Sequence, residues 1–205
     1  MKKMNLILAG TFLAIGFSAC SDSGTSNTAT TTDSTSTTTA TNNTATDTNT
    51  ATTTSTANRT PFDTQDSTFV MKAAMGGMME VEAGNIAQQN ASHDRVKAFG
   101  SMMVNDHGKA NSELIALAAG RGITLPTALP PDMQKHMDEM RKMKGKAFDN
   151  HYMSMMVDDH KKDVGLFEKQ STGGTDAELK AWAAKTLPVL QMHRDSATAI
   201  NKAIK

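Results

Sequence analysis

The sequence predicts an all-α fold, a four-helix bundle with a short connector helix between helices two and three. Three observations carry that expectation. Beyond Thr60 apolar residues recur at helical spacing, and no segment sustains the alternation of a half-buried strand. Glycines and prolines at Gly120, Gly122, Pro126, Pro130-Pro131 and Gly173-Gly174 cut that region into long helical stretches and one short one. Finally, Ser101-Met-Met-Val-Asn-Asp-His-Gly-Lys109 returns as Ser154-Met-Met-Val-Asp-Asp-His-Lys-Lys162, seven of nine positions identical at an offset of 53 residues. Two helices therefore carry the same Met-x-x-Asp-His element.

Residues 1–19 have the order of a secretory signal: Lys2 and Lys3, an apolar run from Leu6 to Phe17, then small residues before Cys20. That run is shorter than the roughly 20 apolar residues of a membrane-spanning helix. Phe17-Ser18-Ala19-Cys20 resembles the bacterial lipobox, whose cysteine is lipidated and becomes the mature N-terminus. Cys20 is the only cysteine, so the chain has no internal disulfide. Residues 20–60 are almost wholly Thr, Ser, Ala and Asn; with nothing to bury, they cannot offset their ordering entropy and read as a disordered tether of about 35 Å reach. The expected location is the cell envelope, lipid-anchored on the periplasmic side or in the outer membrane, with the membrane as partner through the anchor.

The domain is expected over residues 61–205. After Thr60 there are eighteen Lys/Arg and eighteen Asp/Glu, interspersed and not gathered in runs, which argues against a nucleic-acid partner. The first helix is expected from near Asp66 to Asn90, with Phe69, Ala73, Gly76, Glu80, Ala83 and Ala87 on its inner stripe; Gly76, Gly77 and Gly84 either admit a close neighbour or loosen it. Ser92 reads as N-cap of a second helix to Ala119, with Val96, Phe99, Met103, His107, Ala110, Leu114 and Leu117 inward. Pro131 suits the start of the connector helix, which runs to Met143. The third long helix, about Lys146 to Gln170, places Phe148, Tyr152, Met156, His160, Val164 and Phe167 on one face. Thr175, with Glu178 three residues on, reads as a capping box for the last helix, whose inner face carries Leu179, Trp182, Thr186, Leu190, His193, Ala197 and Ile200. Pro188 lies within that helix and is expected to kink it.

Each of the four inner stripes thus holds one carboxylate or imidazole: Glu80, His107, His160 and His193. A carboxylate and three imidazoles at middle depth in a bundle match the donor set of a transition-metal site, with Fe, Zn or Cu as the candidate ions. Asp106 and Asp159 sit one residue off the stripe, placed either to ligate from the side or to orient imidazoles from behind. Met103 and Met156 precede their histidines by four residues and face the same way, and soft sulfur beside imidazole favours Cu(I). Depth counting from Thr175 puts His193 one to two turns away from the others.

These residues, with Phe69, Glu80-Val81, Gly84, Val96-Lys97-x-Phe99, Gly122-Ile123-x-Leu125-Pro126, Phe148-Asp149, Tyr152, Phe167-Glu168 and Leu187-Pro188-x-Leu190-x-x-His193, resemble the bacterial family known as domain of unknown function 4142. The resemblance covers Phe62 to Ile204 and implies an exported, ferritin-like bundle. It does not name a reaction, since a fold does not specify a function. No glutamate stands three residues before His107, His160 or His193, so the paired Glu-x-x-His of di-iron ferritins is missing.

The expectation is a tethered envelope protein that binds a metal for storage, sensing or stress protection. Its rival is a metal-free structural or interaction module in which the same side chains form a buried hydrogen-bond network. The chain shows no Gly-x-Ser-x-Gly turn, no second cysteine and no phosphate-binding glycine loop, so a binding role is favoured over catalysis.

Overall fold

The computed structural model describes residues 60–205; the expected signal peptide, Cys20 and all but the last residue of the expected tether lie outside the described residues. Asp63 opens the first helix, its side chain accepting the Asp66 amide at 2.7 Å, and α1 runs Thr64–Asn90. Then follow α2 Asp94–Ala119, α3 Pro131–Lys142, α4 Gly145–Gly173 and α5 Ala177–Ile204, with no strand among the described residues. None of these helices is long and apolar enough to cross a membrane.

Two expected caps are corrected. Ser92 does not cap α2; the N-cap is His93, whose Nδ1 accepts the Arg95 amide at 3.1 Å, while the Ser92 hydroxyl donates to Asp149 at 2.5 Å. Thr175 does not cap α5 either. Asp176 does, accepting the Leu179 amide at 2.9 Å, and Glu178 bonds Arg121 instead of closing a capping box. In both cases a carboxylate from another helix had first claim on the hydroxyl.

Packing fixes the order around the bundle as α1, α2, α5, α4. Gln65 at the start of α1 donates to the Gly173 carbonyl at the end of α4 at 3.0 Å, so those two helices are antiparallel. Each is also antiparallel to its hairpin partner, which leaves α2 and α4 parallel on a diagonal. The chain leaves α2 at one end and must enter α4 at the other. Residues 120–144 make that crossing, with α3 laid against α1. A single long crossover is the topology of ferritin-like bundles.

Two buried carboxylates pin the turns. Asp66, with 0% exposure, accepts from Gln170 Nε2 (2.7 Å), the Thr175 hydroxyl (2.8 Å) and the Asp176 amide (2.7 Å), holding the α4–α5 turn. Asp149 does the same at the other end, accepting the Ser92 and His93 amides at 3.0 and 3.1 Å. Close approach of α1 to α2 rests on glycine: a Cβ on Gly84 would stand 2.6 Å from the Gly100 carbonyl oxygen. Gly77, and not Gly76, is the buried member of its pair, and a Cβ there would strike the Asn111 side chain. Gly77 and Gly84 therefore admit a neighbour instead of loosening the helix.

The core has two apolar halves. One gathers Phe99, Met103, Phe148, Tyr152, Met153 and Met156; the other gathers Phe69, Leu114, Phe167, Leu179, Trp182 and Leu190. Of the expected inward residues, Ala110, Leu117 and Thr186 are only partly buried. Glu80, His107, His160 and His193, all buried, belong to neither half, and they form the candidate site.

Candidate metal centre

The diagonal, parallel arrangement of α2 and α4 gives the repeated element its meaning. Two copies of Met-x-x-Asp-His on parallel helices of similar register place His107 and His160 level with each other, ring centroids 5.5 Å apart. His193 joins them from α5, 5.3 Å from His107 and 5.2 Å from His160. The expected depth mismatch disappears because α5 runs antiparallel to α2 and α4. Its depth counts from the end at Ile204, eleven residues beyond His193.

One nitrogen from each ring lies within 4.8 Å of one from each of the others, so the three could hold a metal ion. The remaining nitrogens are already directed. Nδ1 of His160 donates to the Met156 carbonyl at 2.9 Å, Nε2 of His193 donates to Asp106 Oδ2 at 2.8 Å, and Nδ1 of His107 lies 3.0 Å from Glu80 Oε2. The Met156 carbonyl and the Asp106 carboxylate accept, which assigns the tautomers of His160 and His193, and an ionised Glu80 assigns that of His107 in the same way. The other nitrogen of each ring, His107 Nε2, His160 Nε2 and His193 Nδ1, is then a bare lone pair, buried and without a hydrogen-bond partner among the described residues.

Burial keeps the rings neutral. It pushes His107 down to about 4 against the opposing pull of Asp163 and Asp106, and pushes His160 and His193 below the ordinary histidine value. The contacts with Glu80 and Asp106 are thus hydrogen-bond approaches of neutral imidazole, not ion pairs.

Glu80 stands behind the histidines. Its Oε2 faces Nδ1 of His107 and its Oε1 lies 3.4 Å from Nδ1 of His160, on the ring edges opposite the free Nε2 atoms. It was expected among the ligands, and the structure sets its carboxyl group beside two of the three imidazoles. Of the two aspartates expected to orient imidazoles, Asp106 does so, whereas Asp159 bonds Lys162 at 3.0 Å. Met103 and Met156 lie fully buried in one apolar half, and Met156 touches the site through its carbonyl.

Asp163 was missed. It sits one turn beyond His160, hydrogen-bonds Glu80, and has its pKa raised by burial and then by the Glu80 charge; Glu80 is raised by burial as well. Two carboxyls sharing a buried site each disfavour the other's ionisation. A cavity of about 20 Å³ touches Glu80, His107 and Asp163, room for one water-sized ligand. A signal was present in the sequence: Asp66-x-x-Phe69 precedes Glu80 by the same fourteen residues by which Asp149-x-x-Tyr152 precedes Asp163.

A crystal structure of a DUF305 fragment from Deinococcus radiodurans has the same fold, with a TM-score of 0.61 at 9% identity, covering 70% of this chain and 99% of that one. At that identity the likeness extends to the fold alone. No curated protein matches the chain. The model of the family described as Domain of unknown function (DUF4142) matches residues 51–200, most of the chain and all four polar positions of the site. The chain belongs to the DUF4142 family.

Proposed function

We propose that this chain is a cell-envelope lipoprotein whose bundle binds one transition-metal ion through His107 Nε2, His160 Nε2 and His193 Nδ1. The observations that carry this reading are that each of the three histidines offers a ring nitrogen within 4.8 Å of the others and that each ring has one buried nitrogen without a partner. A single unsatisfied buried polar group costs about 1–3 kcal/mol. Three of them on adjoining rings form a set that a cation satisfies and an apolar filling does not. Behind them stand Glu80, Asp106 and the Met156 carbonyl, the kind of outer acceptors that fix imidazole tautomers around metals. The metal-free network accounts for the three N–H donors but leaves the three lone pairs unmet.

Neutral imidazole nitrogens suit Zn(II), Fe(II) or copper over Mg(II) or Ca(II). Three protein ligands leave a tetrahedral ion one further position. His160 and His193 are 0% and 1% exposed, which favours retention of an ion over turnover of a substrate; storage or protection against metal stress fits that burial better than catalysis. The tether and the lipid on Cys20 would hold the bundle at the membrane.

Elemental analysis of the purified full chain, followed by titration with Zn(II), Fe(II) and Cu(I), tests the site. One ion per chain, lost in both His107→Ala and His160→Ala, is the expected result; a folded wild type that takes up none of the three overturns the proposal. The anchor is tested separately. Cys20→Ser should leave the membrane fraction, and its continued sedimentation with membranes would disprove anchoring through that residue.

A further inference from the structure

A groove of about 600 Å³ is lined by side chains of α1, α3 and α4, and sulfur dominates its polarizable groups: Met75 and Met79 from α1, Met133 from α3 and Met155 from α4. His136 of α3 joins them, its Nε2 3.2 Å from Met155 Sδ, and Leu166, Lys72, Lys162 and the carboxyl groups of Glu80, Asp159 and Asp163 also line it. We propose that this groove is a second metal site, for a soft monovalent cation, Cu(I) in its biological form, held by Met155 Sδ and His136 Nε2 with the neighbouring thioethers supplying the remaining donors.

Two sets of methionines differ in their surroundings. Met103, Met137, Met140, Met153 and Met156 are completely buried and fill the core, the ordinary use of a flexible apolar side chain. Met75, Met79, Met133 and Met155 are only partly buried and line an open groove, with Met79 and Met155 also packed against the core. Their spacing is ordered. Met75 and Met79 are four residues apart on α1, and Met133 and His136 three apart on α3, so each pair shares one helix face.

The geometry of the nearest pair fits a shared ion. Metal–nitrogen and metal–sulfur bonds near 2.0 and 2.3 Å, meeting at a tetrahedral angle, separate the two donor atoms by about 3.5 Å. The observed 3.2 Å needs little adjustment. Thioethers are neutral and soft, so with imidazole they select Cu(I) and do not compete for hard, oxygen-seeking ions. Neither Met155 nor His136 belongs to the histidine triad and the donor chemistry differs, although Glu80 and Asp163 border both sites.

The test uses the full chain carrying methyl-labelled methionine, with Ag(I) as a redox-inert probe followed by NMR, and Cu(I) measured by chelator competition under reducing conditions. One equivalent of Ag(I) should move the methyl signals of Met75, Met79, Met133 and Met155, in wild type and in His107→Ala alike. Met155→Leu and His136→Gln should each weaken Cu(I) binding at the groove at least tenfold while Zn(II) uptake by the triad stays unchanged. Met155→Leu nearly conserves volume at a partly exposed position, and circular dichroism verifies its fold. The proposal is overturned if those methyls do not respond, if they respond equally in Met155→Leu, or if Ag(I) uptake vanishes in His107→Ala. Failure of Zn(II) uptake alone would remove the triad and leave the groove standing.

Discussion

Asp106 Oδ2 accepts the Nε2–H of His193 at 2.8 Å, joining α2 to α5 across the candidate centre. The aspartate side chain is 39% exposed and the histidine 1%, so the bond reaches from the bundle surface to its interior. It holds His193 in the tautomer whose Nδ1 is free for an ion. Loss of such an outer partner typically costs about 10–100-fold in metal affinity. Asp106→Ala is therefore expected to weaken Zn(II) binding by about that factor, and His193→Ala to remove it from the measurable range. Competition titration against a chromophoric chelator distinguishes the two; equal affinities for wild type and Asp106→Ala would refute the orienting role.

The depressed histidines make the metal-free protein sensitive to mild acid. An unfolded imidazole titrates near 6.5, while burial holds folded His107 at about 4. Between those values the unfolded chain binds a proton that the folded one does not, so this contribution is complete above about 6.5 and is lost as pH falls toward 4. With chelator present, the urea midpoint should drop between pH 7 and 5, and His107→Gln should shrink that drop. The same depression means that protons compete with metal at lower pH than at an exposed histidine.

Asp163 acts with the opposite sign. Its folded pKa is raised by burial and by Glu80, so the folded chain keeps a proton that the unfolded one releases, and stability falls as pH rises through the interval between the two values. Asp163→Asn is expected to raise the melting temperature of the metal-free protein more at pH 8 than at pH 5. A uniform shift at both would show that Asp163 is not held protonated.

At the end of the bundle away from Asp149, Asp66 gives a conventional acid response. Burial works to raise its pKa, and donors from Gln170, Thr175 and Asp176 outweigh that and hold it below the ordinary aspartate value. Its contribution is present above the unfolded value and is lost as pH falls through the lower folded one. Asp66→Ala strands those donors and should cost about 3 kcal/mol at pH 7, with the difference from wild type narrowing by pH 3. Urea unfolding at both pH values measures it.

Two glycine substitutions should move stability in opposite directions. Gly84→Ala sets a methyl 2.6 Å from the Gly100 carbonyl oxygen, which backbone movement alone can relieve, at about 1–3 kcal/mol. Gly165→Ala on α4 meets nothing within 4 Å and gains helix propensity, about 0.8 kcal/mol. Thermal melts of the two variants should lie on either side of wild type.

Helical spacing and the repeated Met-x-x-Asp-His element were enough to establish the helices, the crossover segment and the four polar positions, because a 3.6-residue period marks one face of a helix regardless of what packs against it. The same spacing does not record which neighbour that face meets. Only the tertiary structure decided that α2 and α4 are parallel, that α5 brings His193 level from the opposite direction, and that Glu80 stands at the Nδ1 edges of His107 and His160. The caps escaped for a related reason: Ser92 and Thr175 have the chemistry of N-caps, but Asp149 and Asp66, 57 and 109 residues away in sequence, engage their hydroxyls. Asp163 stayed unseen because its partner, Glu80, comes from another helix. A hydrogen-bonding group takes the partner that folding brings nearest, and sequence separation carries no record of that distance.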